Sequence, residues 1–136
     1  MFLQTRLASF GVLFAAAGLL AGCKKDAATF PSLAGTWQLT AHQCYCPQAP
    51  LANELVKFTD SGFSFYKDGQ PTTYGSYSYT TGQACGSSTT VPMARFAYAN
   101  ANAGPRDIVF TLSGDKLVLD YGGCLDAPVD TYERLR

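Results

Sequence analysis

What this chain lacks narrows its function before any motif is read. It has a single histidine, His42, and a single tryptophan, Trp37. Charged residues are only 15% of the sequence and balance at 10 basic against 10 acidic, with no run of either sign. Binding to nucleic acid requires a basic face, and this balance supplies none. After residue 22 no apolar run approaches the roughly 20 residues that a membrane-spanning helix needs. No Ser or Asp motif accompanies His42 in the way a triad or nucleophile elbow requires. His42 is therefore expected on the outward face of its strand as a surface side chain, and the chain is not expected to be an enzyme. A cleft holding His42 against a carboxylate would reopen that reading. Asp107, Asp120, Asp126 and Asp130 each lie at or near a turn or strand end, where solvation explains them more simply than an acid–base pair or a calcium site.

The first 22 residues have the build of an export signal. Arg6 is the positive end, an apolar core runs from Leu7 to Leu20, and small residues follow. At its close Leu20-Ala21-Gly22-Cys23 resembles the bacterial lipobox. That resemblance implies a diacylglyceryl thioether on the sulfur of Cys23 and cleavage before it, because the modification needs a thiol and the peptidase needs small neighbours. Each buried methylene contributes about 0.8 kcal/mol, so two or three acyl chains hold a protein on a bilayer. Residue 24 is Lys, whereas proteins resembling this class carry Asp there when retained at the inner membrane. The expected location is thus the outer membrane, lipid-anchored through Cys23, on its periplasmic side or at the cell surface. Lys24-Lys25-Asp26 is similar to the short charged tethers of surface-exposed lipoproteins. Residues 23–32 read as the lipidated N-terminus and linker, and 33–136 as one domain, since roughly 110 mature residues support a single core.

Four cysteines remain beyond Cys23: Cys44, Cys46, Cys85 and Cys124. An even count in an exported chain of this size reads as a disulfide framework, each bridge contributing on the order of 2–4 kcal/mol. The competing reading is a metal site of His42, Cys44 and Cys46, alternating along an extended segment, completed by Cys124. Those ligand types suit zinc or copper. H-x-C-x-C lacks the spacing of the familiar zinc motifs, however, and an oxidising compartment favours disulfides. Neither a metal nor a cofactor is expected.

From Gly35 onward short alternating runs are broken by turn residues, the pattern of an antiparallel meander. Trp37, Leu39 and Ala41 fall on one face of the first strand and Thr36, Gln38, Thr40 and His42 on the other. Val56 and Phe58 mark the second strand. Ser61-Gly62 turns into Phe63 and Phe65, and Asp68-Gly69 turns toward Tyr77 and Tyr79. A Gly/Ser/Thr-rich loop around Cys85 precedes strands near 93–98 and 108–112. Ser113-Gly114-Asp115 is a hairpin signal before Leu117, Leu119 and Tyr121, and a last strand runs from about Val129 to Leu135. About eight strands and no segment of helical period favour an all-β barrel or sandwich.

Leu33-Ala34-Gly35-Thr36-Trp37 opens the first strand with a G-x-W motif, and Asp130-Thr131-Tyr132-Glu133-Arg134 closes the last with an arginine. With F-x-x-x-G-F-S-F from Phe58 to Phe65 and G-D-K-L-V-L from Gly114 to Leu119, the domain resembles the small lipocalin-like lipoproteins of Gram-negative bacteria. The resemblance implies an antiparallel up-and-down barrel, with Gly35, Trp37 and Arg134 as its structural signature and the arginine packed across the tryptophan at the closed end. In such a barrel the first and last strands pair, so Trp37 and Arg134 share a rim. The same geometry puts Cys44, Cys46 and Cys124 at the open rim and Cys85 at the Trp37 end. A bridge from Cys44 or Cys46 to Cys124 is favoured, and Cys85 fits only if its loop folds back or the strand count is off by one. A bridge within Cys44-Tyr45-Cys46 is expected to be strained.

Two functions follow. The first is a carrier binding a small apolar ligand, lined by Tyr77, Tyr79, Phe63, Phe65, Phe96 and Tyr98, with Tyr77, Tyr79 and the Cys44 to Pro50 loop at the mouth. The second is a filled-barrel structural or interaction module whose loops bind a protein or glycan. Inward rings at period two are first of all a packed core. An internal pocket of about 300 Å³ or more lined by those rings favours the carrier.

Overall fold

A computed structural model describes residues 29–100 and 102–136. The export signal 1–22, the lipidation residue Cys23 and the start of the linker lie outside the described residues.

Eight antiparallel strands close into one up-and-down barrel: β1 (Gly35–Gln43), β2 (Glu54–Phe58), β3 (Gly62–Lys67), β4 (Gln70–Gln83), β5 (Thr90–Tyr98), β6 (Arg106–Ser113), β7 (Lys116–Asp120) and β8 (Val129–Arg134). The strands follow chain order, and β8 returns to pair with β1. The turns follow from their residues. Asp68 and Gly69 both take positive φ, 51° and 78°, as a two-residue hairpin loop between right-twisted strands requires. At the β2–β3 turn the Thr59 hydroxyl accepts the Gly62 N–H at 2.9 Å.

Alternation then fills the interior. Val56 and Phe58, Phe63 and Phe65, Ala94 and Phe96, Ile108 and Phe110, and Leu117 and Leu119 are buried from β2, β3, β5, β6 and β7. Phe63 stacks on Phe96 at 4.4 Å between ring centroids, and Phe58 meets the edge of Tyr77 at 5.3 Å. These rings occupy the space that a deep ligand cavity would need.

At the closed end Trp37 is 0% exposed and pairs in register with Arg134. The Arg134 guanidinium lies 4.1 Å from the indole centroid, and its Nη1 donates to the Ala34 carbonyl at 2.8 Å. The indole Nε1 donates in turn to the Leu33 carbonyl at 2.9 Å. Gly35 has φ +140°, and a Cβ there would collide with the arginine. Tyr79 belongs to this end as well. Its ring stacks on Phe30 at 5.1 Å and its hydroxyl accepts the Leu33 N–H at 2.9 Å. The Tyr77 hydroxyl donates to the Thr59 carbonyl, also at the closed end. Neither tyrosine is at the mouth, because β4 is 14 residues long and both lie well past its open-end start.

The β1–β8 register shifts between Leu39 and Ala41. Before the shift Leu39 faces Tyr132; after it Ala41 faces Thr131 and His42 faces Asp130. Cross-strand partners share a face, so the bulge moves Ala41 off the inner face and His42 off the outer one.

The disulfides join Cys44 to Cys46 and Cys85 to Cys124, with Cα–Cα distances of 5.2 and 5.9 Å. The favoured bridge from Cys44 or Cys46 to Cys124 is therefore overturned. The strand count of eight stands, and it is the loop that folds back. The arm formed by the end of β4 and the start of β5 folds over the outward side chains Met93 and Val109 to reach the β7–β8 connection at Cys124. Met93 points outward on β5 yet is only 8% exposed, because Gly82 lies over it so closely that a Cβ would sit 2.9 Å from the Met93 sulfur.

Replacing Trp37 with Ala is expected to cost about 3–5 kcal/mol of unfolding free energy by urea titration, as for other buried aromatic truncations. Arg134→Ala is expected to cost about 1–2 kcal/mol from the lost cation–π contact and carbonyl partner. Equal, negligible effects would remove the closed-end clamp from the account.

Candidate functional site

The polar chemistry gathers at the open end, where the end of β1 and the starts of β2 and β8 converge with the β5–β6 and β7–β8 connections. Asp130 is 8% exposed and is the one buried charged residue among the described residues. Its Oδ1 lies 2.5 Å from His42 Nδ1, while the imidazole is half exposed. The bulge in β1 creates this pair. His42 stays exposed, as a surface side chain, but it is paired with Asp130, and Asp130 is not a solvated strand-end charge.

Beside it the Tyr132 hydroxyl donates to Glu54 Oε1 at 2.7 Å. Tyr132 is fully buried, and burial first, then Tyr121 and Glu54, push its phenol far above the ordinary tyrosine range. Tyr121 is raised by burial first and then by the carboxylate of Asp130. Tyr98 is raised by burial, opposed by the charge of Arg106. Arg106 lies 5.5 Å over the Tyr121 ring and donates to the Tyr121 carbonyl at 3.0 Å.

Two adjoining clefts open here. The larger, about 610 Å³, is walled by Thr72, Thr73, Tyr74, Tyr98, Asn100 and Arg106. The smaller, about 210 Å³, shares Thr72, Thr73 and Tyr98 and reaches inward to Glu54, Phe65, Tyr121 and Asp130. Of the six aromatic residues expected to line a ligand cavity, Phe65 and Tyr98 border these clefts. Phe63, Phe96 and Tyr77 are packed beneath them, and Tyr79 is at the other end.

His42, Cys44 and Cys46 bring a ring nitrogen and two sulfurs within 4.8 Å of one another, though the sulfurs are bonded together. Cys124 is bonded to Cys85, so the four-ligand set of His42, Cys44, Cys46 and Cys124 is not assembled. Two of the other carboxylates hold local structure. Asp120 accepts the N–H groups of Gly122 and Gly123 at 2.8 and 2.7 Å, and Asp107 receives a bidentate pair from Arg95 at 2.7 and 2.8 Å.

Glu54, Tyr74 and Arg106 carry no signal in the sequence, which points to Tyr121 only as a strand position and to Asp130 only as a strand-end charge. Asp130 carried a usable signal: it is two positions before Tyr132, so an inward Tyr132 makes Asp130 inward as well. Comparison with family models, curated proteins and solved structures gave no match.

The buried phenols carry a pH dependence. Tyr77, Tyr121 and Tyr132 have folded-state values raised chiefly by burial, so above the unfolded value of about 10 the unfolded chain releases protons that the folded chain keeps. Stability is expected to hold below pH 10 and to fall steadily above it. Urea midpoints measured between pH 8 and about 11.5 check this, and Tyr132→Phe is expected to flatten the fall. A midpoint constant across that range contradicts it.

Proposed function

We propose that the chain is a lipocalin-like lipoprotein, anchored through Cys23 at the outer membrane, that binds a small ligand in the cleft at the open end of its barrel. The observation that carries this reading is the cleft of about 610 Å³, within the roughly 300–1,000 Å³ range of small-molecule sites. Its walls favour an amphipathic rather than a purely apolar molecule. Tyr74 and Tyr98 offer ring faces, while Thr72, Thr73, Asn100 and Arg106 offer hydrogen bonds and a positive charge. The packed rings below exclude deep burial, so the ligand rests at the mouth.

A second reading has its own support. Tyr45, Leu51 and Leu125 are exposed large hydrophobic side chains on the connections at the open end. A filled barrel that presents them to a protein or glycan uses the same rim without a small molecule.

Native mass spectrometry of the full chain, with chemical-shift mapping, separates the two. The carrier reading expects a co-purifying or added small amphiphile at one per chain, shifting Tyr98 and Arg106 signals. Tyr98→Ala is expected to weaken it about five- to tenfold, the loss of one aromatic contact. Absence of any bound or shifting small molecule overturns the carrier in favour of the interaction module.

A further inference from the structure

We propose that Cys44 and Cys46 form a thiol–disulfide exchange centre, with His42 transferring the proton and Asp130 fixing the imidazole. The proposal does not depend on what the cleft holds.

The two disulfides differ in what they do for the fold. Cys85–Cys124 joins residues 39 apart and ties the folded-back arm to the β7–β8 connection. Cys44–Cys46 closes around Tyr45 alone, with a sequence separation of 2. Loop-closure stabilisation grows with the length of chain enclosed, so this bond contributes little to holding the barrel together. It is also reachable. Cys46 is exposed and Tyr45 between the sulfurs is 91% exposed, just past the end of β1. Exposed disulfides without a structural task are the labile class.

The histidine completes the centre. One of its ring nitrogens lies within 4.8 Å of both sulfurs. Nδ1 is 2.5 Å from Asp130 Oδ1, so Nε2 is the ring nitrogen that the carboxylate does not engage. A buried carboxylate oriented by β8 and a bulge in β1 are both needed to hold the ring this way. Among the described residues, Glu54, Tyr98, Tyr121 and Tyr132 are the other titratable groups around Asp130.

The substrate class is a dithiol on a peptide or protein. Its first thiolate attacks Sγ of Cys46, the more exposed residue of the two; the Cys44–Cys46 bond breaks, and the electron pair passes to Cys44 Sγ. His42 delivers a proton to that sulfur. The second substrate thiolate then attacks the substrate sulfur of the mixed disulfide, releasing Cys46 as a thiolate that takes up the second proton. The substrate loses two electrons and two protons and becomes a disulfide; Cys44 and Cys46 gain both and become thiols.

The test uses the full chain and dithiothreitol as the probe dithiol, with alkylation of free thiols read by intact mass. Cys44 and Cys46 are expected to take up alkyl groups at dithiothreitol concentrations at least about tenfold below those that open Cys85–Cys124, with the far-ultraviolet circular dichroism of the barrel unchanged. His42→Ala is expected to slow opening about tenfold or more, with added imidazole restoring part of the rate. As a positioning residue, Asp130 is expected to give slowing in Asp130→Asn and recovery in Asp130→Glu. The proposal is overturned if both bonds open together, or if His42→Ala exchanges at the unsubstituted rate. It is also overturned if the reduced pair takes up one zinc or copper ion and ceases to exchange.

Discussion

The pairing of β1 with β8 is the constraint on which the rest of the molecule depends. It turns an open meander into a barrel and removes both sheet edges, whose unpaired N–H and C=O groups are otherwise a liability. It also sets the chemistry of each end. At one end the register brings Arg134 over Trp37, and the guanidinium bonds the backbone before β1. At the other, the same two strands bring His42 to Asp130. One register shift separates these contacts. Without it the histidine would face solvent and the carboxylate would be buried alone, at a cost that neither β1 nor β8 could offset locally.

Filling the closed half constrains where function can be. β2 and β7 have only five residues each, so the barrel is shallow and its inward rings meet across it. Phe58, Phe63, Phe96 and Tyr77 contact one another through edges and faces. What stays open is the rim, where strand ends and connections supply polar groups. Asp130 and Glu54 are tolerated there because each has a partner, His42 and Tyr132. The proposed ligand recognition and thiol chemistry would both be rim properties, served by neighbouring but different residues.

Much of the barrel was legible in the chain. Alternation at period two marked the strands, and Asp68-Gly69 and Gly114-Asp115 marked hairpins. The G-x-W opening and the closing arginine suggested that β1 and β8 meet. The rest depended on geometry that period two cannot express. A bulge adds one residue and reverses every face beyond it, so strict alternation along β1 puts His42 on the outer face. Nothing in a run of Thr, Tyr, Gly and Ser shows how far along a 14-residue strand the closed end begins, so the sequence alone does not separate Tyr77 and Tyr79 from the mouth. The pairing of Cys85 with Cys124 was hidden for a related reason. Barrel topology puts the two loops at opposite ends, and only an arm bending over Met93 brings them together.

Native-state hydrogen exchange of the oxidised chain tests the central role of the β1–β8 seam most directly. If closure there holds the barrel together, the amides of Gln38 and Glu133, which face one another across β1 and β8, exchange only through global unfolding, while residues 44–53 at the open rim exchange through local opening. Seam amides that exchange as fast as the rim, with β3–β4 and β4–β5 still protected, would contradict the account, because the barrel would then be opening at the seam while its central sheet persists.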